Sequence, residues 1–390
     1  MRLRQSLFTQ QDITLMFGPI QNNITLEQVA GLRQSIADLY VIEDMTIGSP
    51  HPGYVRFRGQ FMRDAGESFI EVRRRFQPQG FTPLLRQQDG EPVLIAMSIV
   101  FDPPPSNPRI NLLLLIVTII STLYVGAASD PAFTGQNLLR EIWLGLPFSL
   151  SIMLILGAHE LGHYFAARHH GVAVTLPYFI PMPFSLIGTL GAFIQLKAPV
   201  TNRRALLDIG AAGPLAGMVF ALPLLIIGLK MSSVGPIDAG GGYVLEGNSL
   251  LYAFLKIVLF GRMLPDGAVD VSLNQVAWAG WVGLLVTGLN LLPVAQLDGG
   301  HIAYVLSGKW AKRLYWPVLI SLLGLGALVT QNVLQWGFWV LLLLLLGNRH
   351  AEPLDDVTPL DPRRRAIAIF SLLLFVLVFV PVPITFVPPG

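Results

Sequence analysis

The 390-residue chain is 53% hydrophobic and only 13% charged, with a net charge of +2 and mean hydropathy +0.58. Soluble domains carry about 25% charged residues, so this composition describes a polytopic membrane protein, and so small a net charge points away from a nucleic-acid partner. With no cysteine, disulfides, thiolate nucleophiles and cysteine-type zinc sites are excluded, and any metal must be held by histidine and carboxylate.

The first eight residues, Met1 to Phe8, have neither the apolar core nor the small-residue cleavage site of a signal peptide. Early acidic residues (Asp12, Glu27) also speak against a transit peptide, so a prokaryotic plasma membrane is the expected address. Residues 1–108 hold most of the charge and read as a small α+β domain. Leu26, Val29, Leu32 and Ile36 are spaced as one face of a helix, Tyr40 to Ile47 reads as a strand, and Pro50-His51-Pro52-Gly53 as a turn. Tyr54 to Arg58 alternates as a second strand, and Glu67 to Phe76 is a basic amphipathic helix. Phe81 to Leu85 and Pro92 to Ile99 flank Asp89-Gly90, a strong hairpin signal. The proline-rich run Asp102 to Pro108 is a stiff linker that closes the domain.

Beyond it lie apolar segments near the roughly 20 residues that a spanning helix needs: 110–129, 145–169, 205–229, 275–293, 312–330, 332–347 and 366–386. The fifth and sixth are parted only by Gln331-Asn332, as in a tight helical hairpin, and the seventh runs into Pro381, Pro383 and Pro388. About seven spans are therefore expected, six of them in a core over 109–350, with 351–390 forming a loop and a last transmembrane segment. Basic residues orient the set. They fall in the N-terminal domain, in the second loop (Arg168, Lys197, Arg203, Arg204), in the fourth (Lys309, Lys312, Arg313) and in the sixth (Arg349, Arg363, Arg364, Arg365). The N-terminal domain is thus expected on the cytoplasmic side. The long third loop, 230–274, is glycine-rich at Gly240 to Gly242, and Leu250 to Phe260 reads as an interfacial helix on the outer surface.

The second span carries Gly157-Ala158-His159-Glu160-Leu161-Gly162-His163. Residues four apart share a helix face, so His159 and His163 present two imidazoles to one cation, and Glu160 is placed to act as acid and base on a water. Ionisable groups at membrane depth cost about 2.5–3.5 kcal/mol each even on the lenient insertion scale, and a metal compensates that cost. Three residues compete to be the third ligand. His169 completes a metzincin-like frame, but Ala166 stands where that pattern has a turning glycine, so a continuing helix carries His169 off the ligand face. Glu246 would complete a His2Glu site, but its loop is assigned to the opposite side of the membrane. Asp298 lies in Asn290-Leu291-Leu292-Pro293-Val294-Ala295-Gln296-Leu297-Asp298-Gly299-Gly300-His301, at the same end as the histidines. There Pro293 interrupts the backbone ladder and Gly299-Gly300 permits close approach, so Asp298 is the favoured ligand. Asp208 is expected to pair with Arg203 or Arg204, and Gly213 and Gly217 to form a small-residue face for helix packing. His301 is either a partner of the site or a solvated histidine after a turn, and His51 and His350 have no partner in the pattern.

HExxH in one span and Asn-x-x-Pro-x-x-x-Leu-Asp-Gly in a later one resemble the site-2 protease family of intramembrane zinc proteases, over roughly residues 110–350. The resemblance implies a zinc ion on His159, His163 and Asp298, Glu160 as the catalytic acid/base, and Asn290 as a substrate-binding residue. Ser185 to Gln195 resembles the family's membrane-dipping β-hairpin, and Asn202 to Gly217 its third helix. The chain lacks the family's PDZ-sized insertion and nucleotide-sensing C-terminal domain, and its extra N-terminal domain is similar to the plastid and cyanobacterial branch. The expected activity is endoproteolysis within transmembrane segments of single-span membrane proteins. The N-terminal domain would gate entry, recruit a cytoplasmic partner or sense a ligand. The rival reading is a membrane metal-ion transporter using the same histidines and aspartate; such proteins tend to show paired halves, and no such internal symmetry is visible here.

Overall fold

The computed structural model describes residues 24–48, 52–237, 243–267, 269–329, 333–347 and 352–387. Met1 to Phe8, Asp12, Pro50-His51, Gly240 to Gly242, Gln331-Asn332, Arg349, His350 and Pro388 lie outside them. Contacts divide the chain into two compact units, one of residues 1–104, 198–204 and 352–360, the other of 105–197, 205–351 and 361–390.

In the first unit, α1 (Leu26–Ile36) starts on a capping box, in which Thr25 and Gln28 each satisfy the other's backbone N–H. The strands β1 (Tyr40–Ile47), β2 (Tyr54–Phe61), β3 (Thr82–Gln88) and β4 (Glu91–Met97) form an antiparallel sheet in the order β1-β2-β4-β3. Asp89 and Gly90 turn β3 into β4 with φ of +52° and +88°, the left-handed pair that a two-residue hairpin requires. Helix α2 (Ala65–Phe76) buries Phe69, Val72 and Phe76 in one core with Val29, Leu32 and Ile36 of α1 and Phe57, Leu85 and Leu94 of the sheet. Two later pieces of chain complete the unit. Leu354 enters that core, and Leu85 donates its N–H to the Leu354 carbonyl at 2.8 Å, so the outer edge of β3 is covered. Leu354 and Asp355 in turn donate to Val200 and Thr201 at 2.8 Å each, and Arg203 pairs with Asp356 at 2.9 Å.

The second unit is built on apolar helices. In chain order they are α3 (Pro108–Ala128), α4 (Leu146–His169, after a short helical lead-in from Leu138), α5 (Arg203–Met231), α6 (Leu250–Phe260), α7 (Gln275–Asn290), α8 (Asp298–Ser307), α9 (Tyr315–Gly324), α10 (Val333–Leu346) and α11 (Pro362–Val378). Four stretches, 108–128, 138–169, 203–231 and 310–329, are long and apolar enough among the described residues to cross a membrane. The chain is a multi-pass membrane protein with an N-terminal α+β region. A two-stranded hairpin of β5 (Tyr178–Met182) and β6 (Gly188–Phe193) follows α4, and β7 (Ser233–Pro236), β8 (Tyr243–Glu246) and β9 (Val269–Ser272) lie between α5 and α7. The expected last span, 366–386, is shorter than read: α11 stops at Val378, and Ile384–Val387 is a strand, β10, antiparallel to β8. Pro381 and Pro383 have no N–H to continue the helix, and each biases the residue before it to an extended backbone. Helix α7 likewise ends at Asn290 rather than 293, and the next residues fold into a tight turn.

Candidate metal centre

Helix α4 opens with Pro147 in its first turn, where a missing N–H loses no bond, and runs unbroken to His169. This continuity puts His159 and His163 on one face, with ring centroids 4.9 Å apart. His159, Glu160 and His163 are all buried, at 3%, 5% and 7% exposure.

Asp298 reaches them from the far end of a tight turn. The chain leaves α7 at Asn290, turns back through Leu291 to Leu297, and starts α8 at Asp298. A Cβ at Gly299 would strike the Leu291 carbonyl, so only glycine lets the first turn of α8 lie on this backbone. Ala295, fully buried, is held at φ +52°, a conformation that costs an L-residue about 1–2 kcal/mol. The strain sits in the turn that delivers Asp298.

One ligand atom from each of His159, His163 and Asp298 lies within 4.8 Å of the others. Nε2 of His159 and Nε2 of His163 are 3.1 Å apart, and the Asp298 Oδ2 is 3.4 and 3.3 Å from them. The Nδ1 of His163 is 2.7 Å from the Ile209 carbonyl, which only accepts, so this nitrogen carries a proton and Nε2 is the ring nitrogen turned toward the cluster. A carboxylate oxygen and imidazole lone pairs are thereby driven together with no apolar group between them. One divalent cation satisfies them all, and two imidazoles with a carboxylate and no thiolate form a donor set that fits zinc. A backbone carbonyl behind a ligating histidine is the usual support of such a site.

Room for the rings comes from α5. A Cβ at Gly213 would strike the His163 Nε2, and one at Gly217 would lie 3.3 Å from the Cβ and Nδ1 of His159. These glycines, expected as a face for helix-on-helix packing, make space for the two imidazoles. Pro214 beside them lacks the N–H that would bond the Gly210 carbonyl, which interrupts the helical ladder next to Ile209.

Glu160 stays out of the three-residue cluster, and the backbone of Ile194, just past β6, lies near its carboxylate. The Asn290 amide lies 3.3 Å from the His159 Nε2, at the edge of the same cluster. His169 is outside the cluster and its ring packs on His170, 5.2 Å between centroids. Glu246 is engaged elsewhere, accepting from the Tyr252 hydroxyl at 2.8 Å and the fully buried Lys256 ammonium at 2.9 Å. Asp208 pairs with neither Arg203 nor Arg204; its partners are Arg364 and His170. His301 lies on α8, and its Nδ1 is buried without a hydrogen-bond partner. The Ile209 carbonyl was invisible to sequence reasoning, since a backbone group leaves no residue-type signal.

Residues 147–317 match the model of peptidase family M50. This stretch holds His159, Glu160, His163, Asn290 and Asp298. Over this stretch the chain is similar to that family. Its relatives include the probable zinc metalloprotease EGY2, chloroplastic, of Arabidopsis thaliana, 36% identical over 65% of this chain and 44% of that protein. The probable zinc metalloprotease EGY1, chloroplastic, of Oryza sativa subsp. japonica is 34% identical over 70% of this chain and 50% of its own length. The probable zinc metalloprotease EGY2, chloroplastic, of Oryza sativa subsp. indica matches at 28% over 88% of this chain and 64% of its length. The chain thus spans about half the length of the curated relatives it matches. No solved structure matches it. The resemblance to site-2 proteases drawn from the two motifs is borne out by family and relatives alike.

Proposed function

We propose that this chain is an intramembrane zinc endopeptidase that cuts transmembrane segments of single-span, membrane-anchored proteins. The observation that carries the reading is the convergence of His159, His163 and Asp298 from separate parts of an apolar chain, with Glu160 buried beside them. The similarity to probable zinc metalloproteases supports it.

His159, His163 and Asp298 would hold the ion, which when bound polarises a carbonyl and lowers the pKa of a bound water from 15.7 to about 7. Glu160 takes the proton from the attacking water and returns it to the leaving amine, a contribution of about 100- to 10,000-fold for a positioned acid/base. The Asn290 amide, at the rim of the cluster, donates to a substrate carbonyl. The buried side chains of α4 keep bulk water from the reacting groups, which strengthens each of these interactions.

A helical substrate hides its carbonyls in its own hydrogen bonds and must be extended before it is cut. The β5–β6 hairpin is two-stranded, and an extended segment would add to its edge by β-augmentation. Ile194, just past β6, lies near the Glu160 carboxylate, which sets this hairpin beside the proposed catalytic group.

The plasma membrane is the proposed location, with the N-terminal unit and the site at the cytoplasmic side. The alternation of basic loops supports this orientation. The pairing of β10 with β8 is in keeping with it, since it joins the C-terminal segment to the loop assigned to the outer side. The N-terminal unit is proposed to bind a cytoplasmic partner or regulator. No observation favours a transporter, for which Glu160 beside the first ligand would have no use. Comparing the membrane proteomes of cells carrying the wild type and Glu160→Gln tests the activity: single-span proteins should accumulate in the variant, and indistinguishable proteomes would count against it.

A further inference from the structure

The cluster of Asp208, Arg364 and His170 serves neither the metal nor the proposed proton transfer directly, yet it ends one residue from the carbonyl behind His163. We infer that this cluster is a positioning device for the His163 ligand, acting through the Ile209 carbonyl. The inference rests on the metalloprotease reading of the site.

Asp208 lies early in α5. The Arg364 guanidinium grips its carboxylate as a fork, with Nε 2.9 and 3.0 Å from the two oxygens and Nη2 2.6 Å from Oδ2. The same oxygen meets the Nε2 of His170 at 2.9 Å. Arg364 is itself braced, because its Nη1 donates to Asp361 at 2.7 Å and Asp361 caps the start of α11. His170 is the C-cap of α4, the helix that carries both histidine ligands. One carboxylate therefore joins the end of α4, the start of α5 and the start of α11.

The consequence for His163 follows from geometry. Its ring is held at one nitrogen by the cluster with Asp298 and at the other by the Ile209 carbonyl, 2.7 Å away. The position of that carbonyl relative to α4 depends on how α5 is pinned to α4, and the His170–Asp208 contact lies one residue from the carbonyl. The four side chains are 19–32% exposed. Ion pairs this open to solvent stabilise a fold little, whereas a two-bond fork fixes orientation. The device is thus suited to setting an angle and a distance.

Zinc affinity of the full-length protein in detergent, measured by competition with a chromophoric chelator, tests the inference, together with the visible absorption of the cobalt-loaded form. Outer partners of metal ligands, when replaced, cost about 10- to 100-fold in metal affinity, and this one acts at one remove, so a loss of about tenfold is expected for Asp208→Asn and for Arg364→Gln. The double variant should bind no more weakly than either single one, and Arg364→Lys, a point charge without the fork, should recover part of the loss. The cobalt bands should shift in the weakened variants. Zinc affinity and cobalt spectrum unchanged in folded Asp208→Asn and Arg364→Gln would overturn the inference while leaving the metalloprotease reading intact. Should either variant fail to fold, His170→Gln removes one tie and keeps the fork; weakened zinc binding supports the device and unchanged binding overturns it. A wild-type chain that binds no zinc would strike the metalloprotease reading itself, and the inference with it.

Discussion

Replacing Gly213 by alanine adds one methyl group, and the structure fixes where it goes. It lands on the His163 ring, which is buried and held between the Ile209 carbonyl at 2.7 Å and the Asp298 carboxylate at 3.3 Å. The ring cannot turn aside without giving up one of those contacts. For stability the effects partly offset: alanine is better than glycine inside a helix by about 1 kcal/mol and overpacking costs about 1–3 kcal/mol, a net loss of about 0–2 kcal/mol. For activity they do not, because a displacement of about 1 Å at a reacting group costs on the order of 100-fold. Gly213→Ala should therefore melt within a few degrees of the wild type while cleaving a single-span reporter in proteoliposomes about 100-fold more slowly. Gly217→Ala is the matched control. Its methyl would lie 3.3 Å from the nearest His159 atoms, a distance that small adjustments absorb, so cleavage should stay near the wild-type rate. Wild-type cleavage by Gly213→Ala would refute the packing argument.

Three further outcomes follow from other parts of the chain. Arg364, through its side chain and its backbone N–H, holds the Asp361 carboxyl down from 3.8 to about 2. A depressed carboxyl stabilises the fold above its ordinary pKa and loses that contribution as pH falls through the folded value, so the melting-temperature gap between wild type and Asp361→Asn should close as pH drops from about 4 to about 2. Asparagine still caps a helix, so the gap reports the charge; a gap that widened on acidification would show the sign to be wrong. Because the chain has no cysteine, a single one at Val244 or Phe386 is a unique reporter: in intact cells it should react with an impermeant maleimide, and one at Gln87 should react only after lysis, the reverse pattern inverting the topology. Deleting the hairpin, Tyr178 to Phe193, should abolish cleavage of a transmembrane substrate, and full cleavage by the deletion variant would remove the hairpin from substrate handling.

The histidine pair was legible because helical periodicity is local: a spacing of four shares a face whatever the rest of the chain does. Asp298 was legible for a different reason. Its proline and glycines announce irregular backbone at membrane depth, and charge in the loops brought it to the same end as the histidines. The α1 face and the Asp89-Gly90 turn were equally local signals. What escaped was non-local. Asp208 was expected to pair with a neighbour in sequence, Arg203 or Arg204, but its partner is Arg364, and 156 residues of sequence carry no hint of that contact. Leu354 completes the core of the first unit from far downstream, and a single leucine has no pattern that could assign it there. Gly213 and Gly217 showed a small-residue spacing that two different packings require, and only coordinates distinguish a helix from an imidazole as the neighbour.

The central claim is that His159, His163 and Asp298 hold a zinc ion on which Glu160 acts to cut peptide bonds in the membrane. Its most direct test is cleavage of a single-span substrate by the purified chain in proteoliposomes, with zinc content measured on the same samples, for the wild type and for Glu160→Gln. The wild type should carry about one zinc and cut within the transmembrane segment, stop when a chelator strips the metal, and resume when zinc returns. Glu160→Gln should keep its zinc and not cut. Cleavage that survives metal removal, or that persists in Glu160→Gln, would contradict the account.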